Sequence, residues 1–346
     1  MKTKPKSKLL IAGGGTGGHI LAGVAIADAW KARIGSSSQV LFIGAKRGLE
    51  EKLVPKAGYP LVSLRIGTLN GVSLGRKLKT LFQLPWAFLV AVLHLLKFRP
   101  DCIIGVGGYS SGPVVMSAAL LRWFHLLSTR ISLLEQNSVL GLTNRILAKR
   151  ADCIFLVFSE MARLFPKKEV YVTGNPIRSS MVPMPSADRE PFVVFIFGGS
   201  QGARGINQRV VESLSYFKKN AHRIEFVHQT GEADFETVSQ AYREAGLRAR
   251  VEKFIFDMPE VYKKASLVIC RAGSSTLAEI AAVGRASILI PLPTAADQHQ
   301  EKNALAYSEA GAAMVLNQLK TNGFELASQV FQTQGCPGRR SRVTRP

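Results

Sequence analysis

Two stretches of this sequence combine residue types that hold phosphate with types that move protons. In "LLIAGGGTGGHI", residues 9–20, five of the six residues 13–18 are glycine and His19 follows at once. Gly13, Gly15 and Gly18 satisfy G-x-G-x-x-G behind an apolar run, the spacing that lets a helix N-terminus approach a pyrophosphate. That dinucleotide fingerprint also wants an acid about 20 positions on to hold a ribose. The next strand ends instead in Gly44-Ala45-Lys46-Arg47, so the dinucleotide reading left open is an NADP-dependent oxidoreductase using Arg47. His19, at a strand's carboxyl edge and a helix start, is placed as a general base. The second stretch is "CRAGSSTLAEIAAVG", residues 270–284. Gly273 frees a turn, Ser274, Ser275 and Thr276 put hydroxyls and amides at a helix N-terminus, and Glu279 follows about one turn in. Such a helix end takes a diphosphate while the carboxylate accepts from two ribose hydroxyls. The competing use of the same residues is a capping box between Thr276 and Glu279.

Further polar groups crowd other strand ends. "GGYSSGP" (107–113) brings Tyr109 and two serines to the first half, and "EQNSVLGLTN" (135–144) brings Glu135, Gln136 and Asn137. "GGSQGARG" (198–205) lacks the Lys-Ser/Thr ending of a P-loop, which excludes that class of ATPase, yet its amides and Ser200 can meet a phosphate. "PLPTAADQHQEKNA" (291–304) gathers Asp297, Gln298, His299 and Gln300, groups suited to sugar hydroxyls. No D-x-D occurs and the four cysteines are scattered without metal spacing, so neither a metal nor another cofactor is expected. A departing diphosphate then relies on amides, hydroxyls and arginine, with Arg178 of "GNPIR" the candidate.

What must position these groups is a repeated βαβ series. "KLLIAG", "QVLFIGA", "YPLVSLRI", "DCIIGVGG", "RISLLEQ" and "DCIFLVF" read as strands separated mostly by helix-length segments. "FVVFIFGG", "HRIEFVHQ", "ARVEKFI", "SLVICRAG" and "ASILIPLP" repeat the pattern downstream. Alternation of this kind gives parallel sheets with helices on both faces. At 346 residues the chain exceeds what one core usually supports, and the Pro-rich "GNPIRSSMVPMPSADREP" (174–191) marks a break. The expectation is an α/β protein of two doubly wound Rossmann-like domains facing a shared cleft. They span residues 1–176 and 191–318, with a linker at 177–190 and a basic tail at 319–346. The N-terminal residues lack the apolar core of a signal peptide, and the scattered cysteines suit a reducing cytosol.

A net charge of +21 invites an acidic partner. The scarcity of interleaved aromatic and basic residues argues against nucleic acid. Residues 74–98, "LGRKLKTLFQLPWAFLVAVLHLLKF", instead join Arg76, Lys77 and Lys79 to an apolar run of thirteen residues, Leu84 to Leu96. That run falls short of the about 20 residues that span a bilayer. An interfacial helix is expected, its first turns dipping Leu78, Phe82 and Trp86 into an anionic membrane surface and the rest covering the sheet.

Taken in order, "GGGTGGHI", "GGYSSGP", "EQNSVLGLTN", "VTGNPIR", "GGSQGARGIN", "RAGSSTLAEIAAVG" and "DQHQEKNA" resemble the MurG family of bacterial N-acetylglucosaminyltransferases over about residues 8–316. The resemblance implies the two-domain GT-B fold, with UDP-N-acetylglucosamine as substrate on the second domain and lipid I gripped by the first. It implies donor contacts at Thr16, Gly17, Gly18, Asn137, Arg178, Ser200, Ile255, Ser274, Ser275, Thr276, Leu277, Ala278, Glu279 and Gln300. His19 and Tyr109 then lie on the acceptor side, and His19, Tyr109 and Glu279 form the catalytic set. The implied reaction is an inverting displacement in peptidoglycan synthesis, the muramyl 4-hydroxyl attacking the anomeric carbon and UDP leaving, to give lipid II. It implies a peripheral enzyme on the cytoplasmic face of the bacterial inner membrane, with other cell-wall synthesis proteins as partners. Three departures stand out: Leu134 where the family usually has histidine, Arg285 where proline is common, and "FQTQGCPGRRSRVTRP" in place of a helix that crosses back to the first domain. The last leads to an expectation of weakened domain closure.

Overall fold

The computed structural model describes residues 7–46, 49–67, 74–185, 190–199, 201–295 and 298–335. The chain divides into two compact units, Met1–Arg178 and Ser179–Pro346, so the break falls inside the proline-rich stretch. The first unit runs β1 (Ser7–Gly13), α1 (Gly17–Ile34), β2 (Ser38–Ala45), α2 (Glu50–Lys56), β3 (Leu61–Leu64), α3 (Leu74–Phe98), β4 (Cys102–Gly107), α4 (Ser111–Trp123), β5 (Arg130–Glu135), α5 (Leu142–Leu147), β6 (Cys153–Leu156) and β7 (Glu169–Val172). Its sheet has the order β3-β2-β1-β4-β5-β6-β7, all pairs parallel. The central strand β1 buries Leu9, Leu10, Ile11 and Ala12 in succession, as a strand covered on both faces must.

The second unit runs β8 (Phe192–Phe197), α6 (Arg204–Phe217), β9 (Ile224–Gln229), α7 (Phe235–Ala245), β10 (Ala249–Glu252), α8 (Met258–Lys264), β11 (Leu267–Cys270), α9 (Ser274–Val283), β12 (Ala286–Leu289), α10 (His299–Glu309), β13 (Met314–Val315) and α11 (Gly323–Gly335). Its parallel sheet is ordered β10-β9-β8-β11-β12-β13. In each sheet the order reverses beside the first strand, between β1 and β4 and between β8 and β11. Those reversals leave crevices at the strands' carboxyl ends, where ligands of such sheets bind.

Three elements differ from expectation. β7 and β13 are short edge strands, and neither has the long apolar run that marks a central strand. The tail expected from residue 319 starts later: Gly323–Gly335 is a helix packed on α6, with Leu326, Ala327 and Val330 in the second unit's core. Residues 336–346 lie outside the described residues. Arg285 also has a positive use: its buried guanidinium donates to the carbonyls of Tyr262 (2.8 Å), Lys263 (3.3 Å) and Met184 (3.5 Å). A proline there would forfeit all three bonds.

The second core encloses one polar group that sets a pH limit. His228 is fully buried, one ring nitrogen 3.1 Å from Asn207 Oδ1 and the other 3.3 Å from the Tyr242 hydroxyl. Burial drives its pKa from 6.5 down to about 3. The unfolded chain therefore binds a proton that the folded one refuses, and stability is full above pH 6.5 and falls as pH drops toward 3. The expected loss is about 1.4 kcal/mol per pH unit across that window. Urea midpoints measured against pH for the wild type and His228→Gln check this; equal slopes would refute it.

Candidate functional site

The first unit's site begins where β1 and β4 end side by side. Gly13 pairs with Gly107, and Gly14 N–H donates to Gly107 O at 3.4 Å. The two glycine loops touch so closely that a Cβ on Gly108 would lie 2.0 Å from Gly14 O. Thr16 caps α1 by position, and its hydroxyl meets His19 Nδ1 at 3.0 Å. The His19 ring lies over Gly107, where a Cβ would come within 2.9 Å of Nε2. For Nε2 to accept a proton, Nδ1–H must donate to Thr16 Oγ1, the tautomer this contact permits. Tyr109 packs its ring on Gly15. Burial, then the Glu50 charge, raise its phenol pKa, so it stays a donor at neutral pH.

Glu50 went unnoticed in the sequence. Its carboxylate is 1% exposed and accepts from Gly15 N–H (3.1 and 3.4 Å) and Ala45 N–H (2.8 Å). A side chain on Gly14 would overlap it at 2.1 Å. An acid therefore does follow β2, but from the helix beyond it, and it is spent on one amide of the loop, Gly15 N–H, and on Ala45 N–H at the end of β2. Part of the amide cradle a pyrophosphate would use is therefore filled, which counts against the oxidoreductase reading, while Arg47, on which that reading relied, lies outside the described residues. At the end of β5, Glu135 is buried and accepts from Asn137 N–H, Gly141 N–H and Asn144 Nδ2. Burial outweighs those donors and raises its pKa. Its role is to shape the loop that presents Asn137. Arg178, half-buried, ends the unit.

In the second unit the loops after β8, β10, β11 and β12 share the carboxyl edge. Gly273, not Thr276, caps α9, no side-chain cap bond forms, and Thr276 is the helix's third residue. The capping-box use of Glu279 is thereby overturned. Ser274 and Glu279 are buried, and the Tyr262 hydroxyl donates to Glu279 Oε2 at 3.4 Å. Ser274, Ser275, Thr276, Leu277, Ala278 and Glu279 thus form the opening turns of a helix whose amide end faces the edge. Gln300 Oε1 accepts from Leu292 N–H at 3.0 Å. Arg271, to which its spacing in "CRAGSSTLAEIAAVG" assigns no chemistry, is buried and donates to Ile290 O, Pro291 O and Gln318 Oε1. Burial lowers its pKa to about 10, so it remains charged. Gln229, also missed, ends β9 and joins Gly199 to Ile255. Both are polar residues closing apolar strands, the one signal that marked them. Ser200 and Asp297 lie outside the described residues. Among the described residues, no three His, Cys, Asp or Glu side chains are grouped to hold a metal.

The surface helix α3 continues through Pro85. It buries Thr80, Ala87, Ala91 and Leu95 toward β3 and α4, and exposes Leu78, Phe82 (85%), Trp86 (58%), Leu89 and Leu93. The exposed stripe thus runs nearly the whole helix and is not confined to its first turns, because three- and four-residue steps keep one face outward. Trp123 and Phe124 at the end of α4 are exposed as well. Lys79 is exposed, while the Arg76 and Lys77 side chains lie outside the described residues. By length and composition alone, Leu78–Phe98 is also long and apolar enough to cross a membrane, longer than the run counted in the sequence.

Residues 9–156 match the glycosyltransferase family 28 N-terminal domain and residues 193–335 match its C-terminal domain. The chain belongs to glycosyltransferase family 28. Its relatives in family 28 include the UDP-N-acetylglucosamine–N-acetylmuramyl-(pentapeptide) pyrophosphoryl-undecaprenol N-acetylglucosamine transferase of Myxococcus xanthus, 43% identical over 96% of this chain and 86% of the relative. The enzyme of the same name from Anaeromyxobacter sp. strain K is 41% identical over 98% and 87%. Among solved structures, MurG of Acinetobacter baumannii superposes with a TM-score of 0.73 at 28% identity, over 98% of this chain and 96% of that one. The family 28 fold is GT-B, two parallel-sheet α/β domains, and the chain is a glycosyltransferase. None of these relatives is an oxidoreductase.

Proposed function

We propose that this chain transfers N-acetylglucosamine from UDP-N-acetylglucosamine to the 4-hydroxyl of the muramyl sugar of lipid I, yielding lipid II and UDP. The reading rests above all on near-full-length identity to transferases of that name. It is supported by glycine and hydroxyl loops at both sheet reversals. The second unit holds the donor: the α9 N-terminus and the glycine loop after β8 take the diphosphate, Glu279 the ribose, and the Ile255 segment the base. The first unit holds the acceptor, with His19 Nε2 taking the hydroxyl proton. The new bond forms from the 4-oxygen to the anomeric carbon as the bond to the diphosphate oxygen breaks, its electron pair leaving on UDP. Thr16, Gly17, Gly18, Asn137, Arg178 and Gln300 complete the donor contacts by motif. Incubating the full chain with donor and a lipid I analogue, without added metal, and separating products by chromatography tests the reaction. A folded protein that neither binds the donor nor forms product refutes it.

The acceptor carries a lipid, and α3 fits its surroundings. A helix anchored on the sheet through Ala87, Ala91 and Leu95 while presenting Phe82 and Trp86 lies in an interface more readily than it spans one. The enzyme is accordingly peripheral, on the cytoplasmic face of the inner membrane, with an anionic lipid surface as partner. Phe82→Ser with Trp86→Ser is expected to lower partitioning onto phosphatidylglycerol vesicles about tenfold or more. Soluble-donor binding stays unchanged. Undiminished sedimentation with vesicles refutes the assignment.

A further inference from the structure

The Gln229 side chain makes two hydrogen bonds of opposite sense. Its Nε2 donates to Gly199 O at 2.8 Å, and its Oε1 accepts from Ile255 N–H at 2.8 Å. Those partners lie 56 residues apart, one in the glycine loop after β8 and the other in the loop after β10. Gln229 is 3% exposed, so neither bond is exchanged readily for water. The same segment supports the glycine loop a second time: a Cβ on Gly202, whose φ is +75°, would lie 1.9 Å from Thr230 O, and one on Gly231 would lie 2.2 Å from Gln201 O. Gly202 N–H also donates to Gly199 O at 3.0 Å, closing the turn on the carbonyl that Gln229 holds.

We infer that Gln229 is a positioning residue that fixes the distance between the backbone that meets the donor's diphosphate and the backbone that meets its base. The inference rests on the donor reading above. A nucleoside diphosphate has nearly fixed reach between base and phosphates, so two recognition segments bind it as one ligand only when their separation is set beforehand. Gln229 sets it from beneath, touching neither end of the ligand. It also occupies the Ile255 N–H, which leaves the Ile255 carbonyl as that residue's group for reading a base N–H.

The test uses the full chain, with UDP, uridine and UDP-N-acetylglucosamine as probes. Gln229→Met, similar in volume and without either bond, is expected to raise the UDP Kd and the donor KM roughly tenfold. Its kcat stays within about twofold. The preference for UDP over uridine shrinks, because the link between the two ends is what has been lost. Gln229→Glu keeps the acceptor for Ile255 N–H but sets a carboxylate against Gly199 O, and it too weakens UDP. Gln229→His, able to donate and accept, recovers part of the affinity. A Gln229→Met protein that melts earlier yet binds UDP with wild-type Kd and wild-type preference over uridine overturns the inference and leaves the donor reading intact. A wild-type protein that fails to bind UDP overturns both.

Discussion

Replacing His19 with alanine is expected to lower kcat by about 10²–10⁴-fold, the range by which a positioned general base accelerates proton transfer. The donor KM should move little. The argument is geometric: His19 is the third residue of α1, fixed at Nδ1 by Thr16 and laid over Gly107, a position that admits no side chain. A histidine serving the fold alone has no need of an edge where two glycine loops meet. Thr16→Val separates the base from its orientation. It removes the Nδ1 partner and frees the other tautomer, so a fall in kcat smaller than that of His19→Ala is expected, beside whatever the lost Thr16 donor contact adds to KM. Steady-state kinetics with a lipid I analogue decide the matter, together with the pH profile of kcat/KM. If His19→Ala keeps both its kcat and the acidic limb of its profile, the base is another group.

What the sequence made legible is what backbone periodicity and glycine spacing can express. The strands of both sheets, the loops at their carboxyl ends and the hydroxyl-bearing start of α9 follow from local pattern, since a parallel strand reads as a continuous apolar run. Glu50 was not legible because its meaning is tertiary. Nothing in "RGLEEKLV" says that the first carboxylate turns back under Gly14 while the next, Glu51, faces outward. The capping box fails for a related reason: Thr276 and Glu279 have the spacing, but the helix starts three residues earlier than such a cap requires. The extent of α3's apolar stripe and the helix at 323–335 depended on packing against α4 and α6, which no window of sequence contains.

The paired architecture sharpens the division of labour. In each unit a buried polar side chain from the second strand or the helix after it braces the glycine loop that follows the first strand. In the first unit Glu50 accepts from the loop's Gly15 N–H; in the second, Gln229 donates to the loop's Gly199 carbonyl. The two bonds have opposite effects on anion binding. A carboxylate under the first loop consumes an N–H and adds negative charge, whereas an amide donor under the second loop takes up a carbonyl and adds none. That difference supports the proposed placement of the donor diphosphate on the second unit.

Glu279→Ala is expected to raise the donor KM about 10²-fold while kcat changes by no more than a few-fold, the loss of about 3 kcal/mol that removal of charge-assisted hydrogen bonds to a diol entails. The carboxylate does not cap the helix, whose N-cap is Gly273, and it is 7% exposed with the Tyr262 hydroxyl at 3.4 Å. That contact is long for an O–H···O hydrogen bond and so contributes little by itself. Tyr262→Phe should therefore cost far less than Glu279→Ala, and Glu279→Gln should fall between, since an amide accepts from one hydroxyl where the carboxylate accepts from two. A cavity left by the alanine would lower the melting temperature whatever the role of the side chain, so the decisive measurement is a cycle with the ligand. The wild type should prefer UDP-N-acetylglucosamine to its 2′-deoxyuridine analogue, and Glu279→Ala should lose that preference. If the alanine variant discriminates between the two donors as well as the wild type does, the ribose contact is made elsewhere and Glu279 serves only the packing between α8 and α9.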